Sequence, residues 1–169
     1  LNLNFAHAHN NLGNVFKDLN RIDDAIISYK KALEIDPNFA NAHNNLGNAF
    51  KDLDLTEDAV KSYKRAIEIQ PNFAEAHNNL GSVLTDLNRF KDARIYFEQA
   101  IALKQDFVEA FYNLANLHKL MNVFDSAIKN YKKVIELESN NFRTHNELGL
   151  VLMIQGKIND AIFCFEQSI

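Results

Sequence analysis

An exact 34-residue repeat constrains this chain more than any other feature. The clearest column holds Leu12, Leu46, Leu80, Leu114 and Leu148, and no insertion interrupts it. A second column holds Ala25, Ala59, Ala93, Ala127 and Ala161 with the same spacing. A unit of this size is one supersecondary element that cannot bury its apolar face alone, so neighbouring units must stack. We therefore expect a solenoid in which each unit contacts mainly its neighbours.

Each unit is predicted to contain two α-helices. In the first helix the core positions of the first unit recur at spacings of three and four residues, as on one face of a helix. They are His9, Leu12, Val15, Phe16 and Leu19. The second helix begins near Asp23 and places a similar stripe on one face. Its members are Ala25, Ile26, Tyr29, Ala32 and Leu33. Small residues such as Gly13 and Ala32 are expected where two helix axes approach closely.

Turn-forming residues separate the predicted helices. Residue types that enter the left-handed conformation follow each first helix. These are Asn20, Asp54, Asn88, Asn122 and Gly156. The second helices are predicted to end before Pro37 and Pro71, because proline cannot continue a helix. Good N-cap residues then precede each following first helix. They are Asn38, Asn72, Asp106 and Asn140.

The pattern resembles the tetratricopeptide repeat (TPR), whose signature is Trp-x-x-Leu-Gly-x-x-Tyr, then Ala-x-x-x-Phe, then Pro. The first unit carries it as His9, Leu12, Gly13, Phe16, Ala25, Tyr29 and Pro37. His or Phe replaces the signature Trp, and Gln105 and Ser139 replace Pro. The resemblance implies an all-α, right-handed TPR solenoid. It also implies that the first helix of each unit lines a concave groove that binds a protein or an extended peptide.

The repeat boundaries predict one domain over residues 1–169. The units are residues 6–39, 40–73, 74–107, 108–141 and 142–169, with residues 1–5 as the remnant of a preceding unit. Because solenoid ends usually carry polar capping elements, we interpret the chain as a segment of a longer protein. Phe165 and Ile169 are then expected to be exposed, which favours a homodimer through the uncapped ends.

Composition narrows the class of partner and the compartment. A net charge of -4 argues against nucleic acid, which requires a basic surface. No apolar run is long enough to suggest a membrane span. Cys164 is the only cysteine, so no intrachain disulfide is possible, and no Asn-x-Ser/Thr sequon occurs. These features favour a cytoplasmic location.

No catalytic, cofactor-binding or metal-binding constellation is predicted. His9, His43, His77 and His145 advance by one repeat each, so they are too far apart to share a metal ion. We interpret them as half-buried packing groups, His118 as a hydrogen-bonded core residue, and Cys164 as a buried thiol. His7, on the inner side of the first helix, is the histidine best placed to face a ligand.

Asparagines recur in mid-helix, where Asn is a mediocre helix former. The candidate peptide-binding residues are Asn10, Asn11, Asn14, Asn44, Asn45, Asn48, Asn78, Asn79, Asn113 and Asn116. A column of amides matches the alternating N–H and C=O groups of an extended peptide. It is similar to the asparagine-lined TPR superhelix of O-GlcNAc transferase, where such a ladder holds the peptide backbone. The alternative is that these amides only join neighbouring helices.

Three other functions remain open at this point. Some TPR domains clamp the C-terminal carboxylate of chaperones with basic residues, but Glu75 and Glu109 occupy two of the basic positions, so we predict no such binding. The chain is alternatively the substrate-recognition arm of a fused glycosyltransferase, sulfotransferase or methyltransferase, or a structural spacer. The apolar residues Leu120, Met153 and Ile154 mark a partner hot spot or a surface covered by other parts of a longer protein.

Overall fold

The computed structural model describes residues 3–169, and every regular element within that stretch is an α-helix. The ten helices are α1 Leu3–Asp18, α2 Ile22–Ile35, α3 Ala40–Asp52, α4 Thr56–Ile69, α5 Ala74–Asp86, α6 Phe90–Leu103, α7 Val108–Leu120, α8 Phe124–Leu137, α9 Phe142–Ile154 and α10 Ile158–Glu166. The predicted all-α class of TPR type is confirmed. The single-domain assignment stays a prediction.

Helix ends follow the sequence signals closely. Within residues 3–169, four non-glycine residues have positive φ, each at 57°, in the turn after a first helix. They are the predicted Asn20, Asp54, Asn88 and Asn122. Gly156 takes the same place in the last repeat with φ of 73°. The second helices α2 and α4 end two residues before a proline, as predicted.

The predicted N-caps are wrong at all four positions. Phe39, Phe73 and Phe107 occupy the N-cap positions of α3, α5 and α7, and none makes a side-chain cap. Among α2 to α10, only α9 has such a cap, from Asn141, whose side chain accepts a hydrogen bond from the Thr144 backbone N–H. The predicted residues, Asn38, Asn72, Asp106 and Asn140, lie two positions before their helices. Asn38 lies in the turn itself, where its backbone N–H donates to the Asp36 side chain.

The predicted repeat remnant at residues 1–5 is helical where it is described. Leu3–Phe5 form the first turn of α1, whereas the equivalent Pro37–Phe39 form the turn before α3. Leu3 lacks the fixed ring and missing N–H with which Pro37 interrupts a helix. Residues 1 and 2 lie outside the described part of the chain.

The chain divides into two compact units, Leu1–Asn88 and Arg89–Ile169. The core of the first unit joins α2 to α3 through Ala25, Ile26, Tyr29, Leu46 and Ala49. The core of the second unit joins α7, α8, α9 and α10. Its buried members are Ala115, Ala127, Ile128, Tyr131, Leu148, Val151, Leu152, Ala161 and Cys164. Phe165 packs partly buried against this second core, so its predicted exposure is wrong, whereas Ile169 is fully exposed.

The small columns have the expected packing reason. A Cβ atom added to Gly13 would lie 2.4 Å from Cε1 of Tyr29, and one added to Gly47 would lie 2.6 Å from Cε1 of Tyr63. Gly149 faces Phe165 in the same way. The paired helices of each repeat therefore approach so closely that an aromatic ring rests directly on the partner backbone.

None of the helices in residues 3–169 combines the length and the apolar character needed to cross a membrane.

The left-handed turns provide a direct test of the local backbone. We expect Asn122→Val to lower the free energy of unfolding by about 1–2 kcal/mol, because a side chain branched at Cβ clashes with the backbone at positive φ. Asn122→Gly is the matched control and should change the free energy of unfolding by only a few tenths of the amount expected for Asn122→Val, since glycine accepts this conformation freely. Urea unfolding followed by circular dichroism measures both. Equal stability of the two variants would contradict the assignment.

Candidate functional site

A ladder of asparagine side chains connects the first helices α1, α3 and α5 of the first unit. The Asn45 amide nitrogen donates to Oδ1 of Asn10 at 3.0 Å and to Oδ1 of Asn14 at 3.1 Å. One repeat later, Asn79 donates to Oδ1 of Asn44 at 3.0 Å and of Asn48 at 3.2 Å. Each rung therefore joins one asparagine to two asparagines of the preceding repeat.

A buried tyrosine hydroxyl donates to one asparagine in each rung. The Tyr29 hydroxyl donates to Asn14 Oδ1 at 2.9 Å, and the Tyr63 hydroxyl donates to Asn48 Oδ1 at 2.7 Å. Both tyrosines are fully buried. Burial, with Asp18 and Asp52 nearby, raises the pKa of Tyr29 to about 12. Each phenol is thus held as a neutral donor that orients the asparagine amide.

The bonds of the ladder determine which polar atoms are left for a ligand. Both amide hydrogens of Asn45 and of Asn79 are used, but no partner for their Oδ1 atoms lies within the described residues. The Oδ1 atoms of Asn14 and Asn48 each accept two hydrogen bonds, which leaves their NH₂ groups as donors. Each rung therefore presents one acceptor and one donor, both on partly or fully exposed side chains.

Three of the predicted contact residues are buried instead. Asn10, Asn44 and Asn78 are between 1% and 7% exposed. The oxygens of Asn10 and Asn44 accept hydrogen bonds from the following repeat. These residues hold the ladder together and offer little surface to a ligand. The pattern of the chain alone could not separate them from Asn11, Asn45 and Asn79, because their burial depends on the neighbouring repeat.

The second unit has a different inner surface. Asn116 accepts from Tyr131 at 2.6 Å, as its counterparts do, and Asn113 is half-buried. Tyr112 replaces the buried asparagine, with the Arg143 guanidinium 4.7 Å above its ring. Glu147 takes the next position in the asparagine column and forms an ion pair with Lys119. Charge therefore replaces part of the amide ladder here.

The surface beyond the ladder also changes between the units. In the first unit Lys17 lies 3.2 Å from Asp52, so this surface carries charges of both signs. In the second unit Leu120, Met153 and Ile154 are all exposed.

Three of the four recurring histidines bond to the turn before their own helix, and two of them, His77 and His145, are buried and not half-buried as predicted. His43, His77 and His145 place Nε2 2.9–3.0 Å from a backbone carbonyl six residues upstream, at Pro37, Pro71 and Ser139 respectively. A carbonyl only accepts, so Nε2 carries the hydrogen. Burial lowers the pKa of His43 despite this bond. The fixed six-residue interval between turn and histidine was the signal that could have revealed these bonds.

The remaining reactive side chains fit packing roles. His118 is hydrogen-bonded as predicted, with Nδ1 3.2 Å from the Asn130 amide nitrogen, but it is half-buried and not part of the core. Cys164 is buried, and burial raises the pKa of its thiol. His7 is exposed, with its ring 4.6 Å from that of Phe39. Within residues 3–169, no group of three His, Cys, Asp or Glu side chains is arranged to hold a metal ion.

Comparison with known protein families and structures identifies the architecture. A family model described as TPR repeat matches residues 13–54, 56–87 and 120–156, and one described as Tetratricopeptide repeat matches residues 74–107. The chain belongs to the tetratricopeptide repeat family. TPR domains serve in general as protein-interaction modules. A comparison with curated protein sequences gives no significant match.

Solved TPR structures superpose well on the chain. The crystal structure of MamA has a TM-score of 0.84 and 29% identity, over 92% of this chain and 91% of that one. The pilF protein of Pseudomonas aeruginosa has a TM-score of 0.90 and 24% identity, over 98% and 77%. YrrB, described as a TPR protein with an unusual peptide-binding site, has a TM-score of 0.76 and 22% identity, over 95% and 83%.

Proposed function

We propose that this TPR chain binds an extended peptide through the asparagine ladder of α1, α3 and α5. The observation that carries the proposal is the fixed orientation of the ladder amides, each with unused hydrogen-bonding capacity. Asn45 and Asn79 offer acceptors, whereas Asn14 and Asn48 offer donors. An extended backbone has N–H and C=O groups that match such a surface without reference to side chains. Peptide binding on this architecture is also described for YrrB.

Preorganisation favours this function. A flexible surface asparagine loses side-chain entropy when it engages a ligand. Here Asn48 Oδ1 already accepts from Tyr63 and Asn79, so its free NH₂ is already oriented before a peptide arrives. Of the candidate asparagines, the buried ones support the rungs of the ladder, and the more exposed ones are available to contact a ligand. We assign direct contact to Asn11, Asn14, Asn45, Asn48 and Asn79, and by analogy to Asn113 and Asn116 in the second unit.

The recognition mode predicts what a bound peptide needs. Hydrogen bonds to main-chain atoms give affinity with weak dependence on sequence. Replacing peptide side chains by alanine should therefore change the affinity little. Methylating the peptide's backbone nitrogens that donate to Asn45 and Asn79 should abolish binding, because N-methylation removes the N–H donor.

The test uses short random-sequence peptides displayed on phage, selected against the chain and then measured in solution by fluorescence anisotropy. We expect Asn45→Ala combined with Asn79→Ala to weaken a selected peptide by about 10-fold or more, since each net hydrogen bond contributes about 1 kcal/mol. The matched control is Asn38→Ala combined with Asn72→Ala, which removes two asparagines from exposed turns outside these helices. Circular dichroism confirms that both double variants remain folded.

Two results would refute this assignment. The first is a selection that yields no binding peptide. The second is a selected peptide that binds both double variants with the affinity of the original chain. Insensitivity to backbone N-methylation would show that side chains, and not the peptide backbone, are recognised.

A further inference from the structure

We propose that a cavity between α8, α9 and α10 binds a small, neutral aromatic molecule that carries one O–H donor. The cavity has a volume of about 340 Å³ and lies where α8 of the fourth repeat packs on the two helices of the fifth. It is separate from the asparagine ladder, so this proposal does not depend on peptide binding.

The inner wall of the cavity is apolar and buried. Leu148, Leu152 and Cys164 line it, are between 3% and 6% exposed, and belong to the core of the second unit. Burial raises the pKa of the Cys164 thiol, which keeps this wall uncharged. An apolar wall of this kind, with few polar groups, is typical of small-molecule sites.

The mouth of the cavity opens on a face that a following repeat does not cover. It is formed by Lys132, Asp160 and Phe163, which are all exposed. The residues equivalent to Lys132 and Phe163 in the first unit are Lys30 and Lys61. There α5 follows α4 and packs on it, yet both lysines remain exposed. The cavity is therefore a feature of the junction between two repeats. Its one positive and one negative charge favour a neutral ligand.

One buried polar atom of a lining residue has no hydrogen-bond partner. His145 lines the cavity, is 7% exposed, and donates from Nε2 to the Ser139 carbonyl at 3.0 Å. Because Nε2 carries the hydrogen, Nδ1 is an acceptor. This Nδ1 atom has no partner within the described residues. Buried polar atoms are nearly always hydrogen-bonded, so an unpaired acceptor beside a cavity points to a ligand that donates.

The space arises from two small side chains that occur together in the fifth repeat. The second repeat has Phe50 in place of Leu152, and the third has Tyr96 in place of Cys164. Phe50 packs partly buried against the core of the first unit. Each of these earlier repeats thus carries one large aromatic side chain where the fifth repeat carries a smaller one.

The volume indicates the size of the ligand. An apolar cavity of about 150 Å³ in another protein holds benzene, so a cavity of about 340 Å³ suits two fused rings. A hydroxyl on one ring would donate to His145 Nδ1, while the rings contact Leu148 and Leu152. The probe with this chemistry is 2-naphthol. The comparison compound is 2-methoxynaphthalene, which keeps the rings and the oxygen but has no hydrogen to donate.

The first test compares the two compounds on the original chain. Cys164 is the only cysteine, so the rate at which a thiol reagent modifies the chain reports on this cavity alone. Both compounds should slow the modification, and isothermal titration calorimetry should give the Kd of each. We expect 2-naphthol to bind about 10-fold more tightly, because it satisfies the buried acceptor.

Filling the cavity tests its location. Leu152→Phe and Cys164→Tyr introduce side chains that the second and third repeats already carry at these positions. Each variant should abolish the calorimetric binding of both compounds. Circular dichroism verifies that both variants keep their helices.

Removing the acceptor tests the chemistry. His145→Phe keeps an aromatic ring, as the fourth repeat does with Phe111, but it has no Nδ1. It should bind 2-methoxynaphthalene like the original chain and lose the preference for 2-naphthol. The matched control is His43→Phe, which deletes the equivalent bond to the Pro37 carbonyl in the first unit. This control should bind both compounds like the original chain.

Several results would overturn the proposal. The first is an original chain that binds neither compound, and the second is a filling variant that still binds both. Equal affinity of the original chain for the two compounds, or a retained preference in His145→Phe, would show that Nδ1 does not accept from the ligand.

Discussion

Gly47→Val is expected to lower the free energy of unfolding by about 3 kcal/mol, at the upper end of the usual cost of overpacking a core. An added Cβ would lie 2.6, 2.8 and 3.0 Å from Cε1, Cδ1 and Cζ of Tyr63. The ring has no room to retreat, because Tyr63 is fully buried and its hydroxyl is bonded to Asn48. Replacing a mid-helix glycine returns less than about 1 kcal/mol of helix propensity, so the clash dominates.

The fourth repeat shows that a single methyl group at this position costs less stability than a larger side chain would. Ala115 stands where the other repeats have glycine, and it is buried in the same cluster as Tyr131. A helix pair of this fold therefore admits one methyl group when the surrounding packing has adapted to it. We expect Gly47→Ala to cost about 1 kcal/mol and Gly47→Val distinctly more, since valine adds two further carbon atoms.

Urea unfolding measures both variants, and amide hydrogen exchange locates the loss. Because each repeat contacts mainly its neighbours, protection should fall in α3 and α4 first. Combining Gly47→Val with Tyr63→Leu removes most of the ring atoms near the new side chain. The double variant should therefore be less destabilised than the sum of the single variants. An unchanged unfolding midpoint for Gly47→Val would contradict this prediction, because it would show that α3 and α4 can move apart without loss of stability.

The sequence predicted those features that local chemistry and the repeat period determine together. The left-handed Asn20 and Asp54, the close approach at Gly13 and the helix ends before Pro37 and Pro71 all agree with the structure. Each depends on a single residue type with a strong backbone or steric preference. Because the period repeats that preference, a pattern that would be weak in one segment becomes specific.

The errors have a common physical origin. N-cap preference depends here on more than residue type, because Asn38 lies in the turn while Phe39 occupies the N-cap position of α3. Likewise, Asn44 and Asn45 are adjacent in sequence, but Asn44 is buried and accepts from the following repeat, whereas Asn45 donates to the preceding repeat and keeps its oxygen free. Such distinctions depend on side-chain rotamers and on neighbours one repeat away, which a periodic pattern does not specify.

Alkaline pH is expected to unfold the chain steeply through its three buried tyrosines. Burial raises the pKa of Tyr29 to about 12, and it raises the pKa of Tyr63 and Tyr131 further. In the unfolded chain these phenols titrate near pH 10. Below about pH 10 they are neutral in both states and do not affect stability. Between about pH 10 and 12 the unfolded chain loses protons that the folded chain retains, so the free energy of unfolding falls as the pH rises.

The fall should be on the order of 1 kcal/mol per pH unit for each buried tyrosine. Tyrosinate absorbance and helical circular dichroism should therefore change together in a single steep transition. The variant with Tyr29, Tyr63 and Tyr131 all replaced by Phe tests the cause, because the chain already carries Phe97, fully buried, in the same column. Its unfolding free energy at neutral pH provides the baseline, since each substitution also deletes a hydrogen bond to an asparagine of the ladder.

Replacing Tyr96 and Tyr112 by Phe is the matched control, since these tyrosines are only partly buried. If the buried phenols drive the transition, the triple variant loses the alkaline decline and the control retains it. If the unfolding free energy of the triple variant falls as steeply at alkaline pH as that of the original chain, the lysines and not the buried phenols cause the fall. The same phenols orient Asn14, Asn48 and Asn116, and they keep their protons while the chain is folded, so peptide binding and helix content should be lost together. Fluorescence anisotropy with a selected peptide, measured beside circular dichroism between about pH 9 and 12, checks that the two losses coincide.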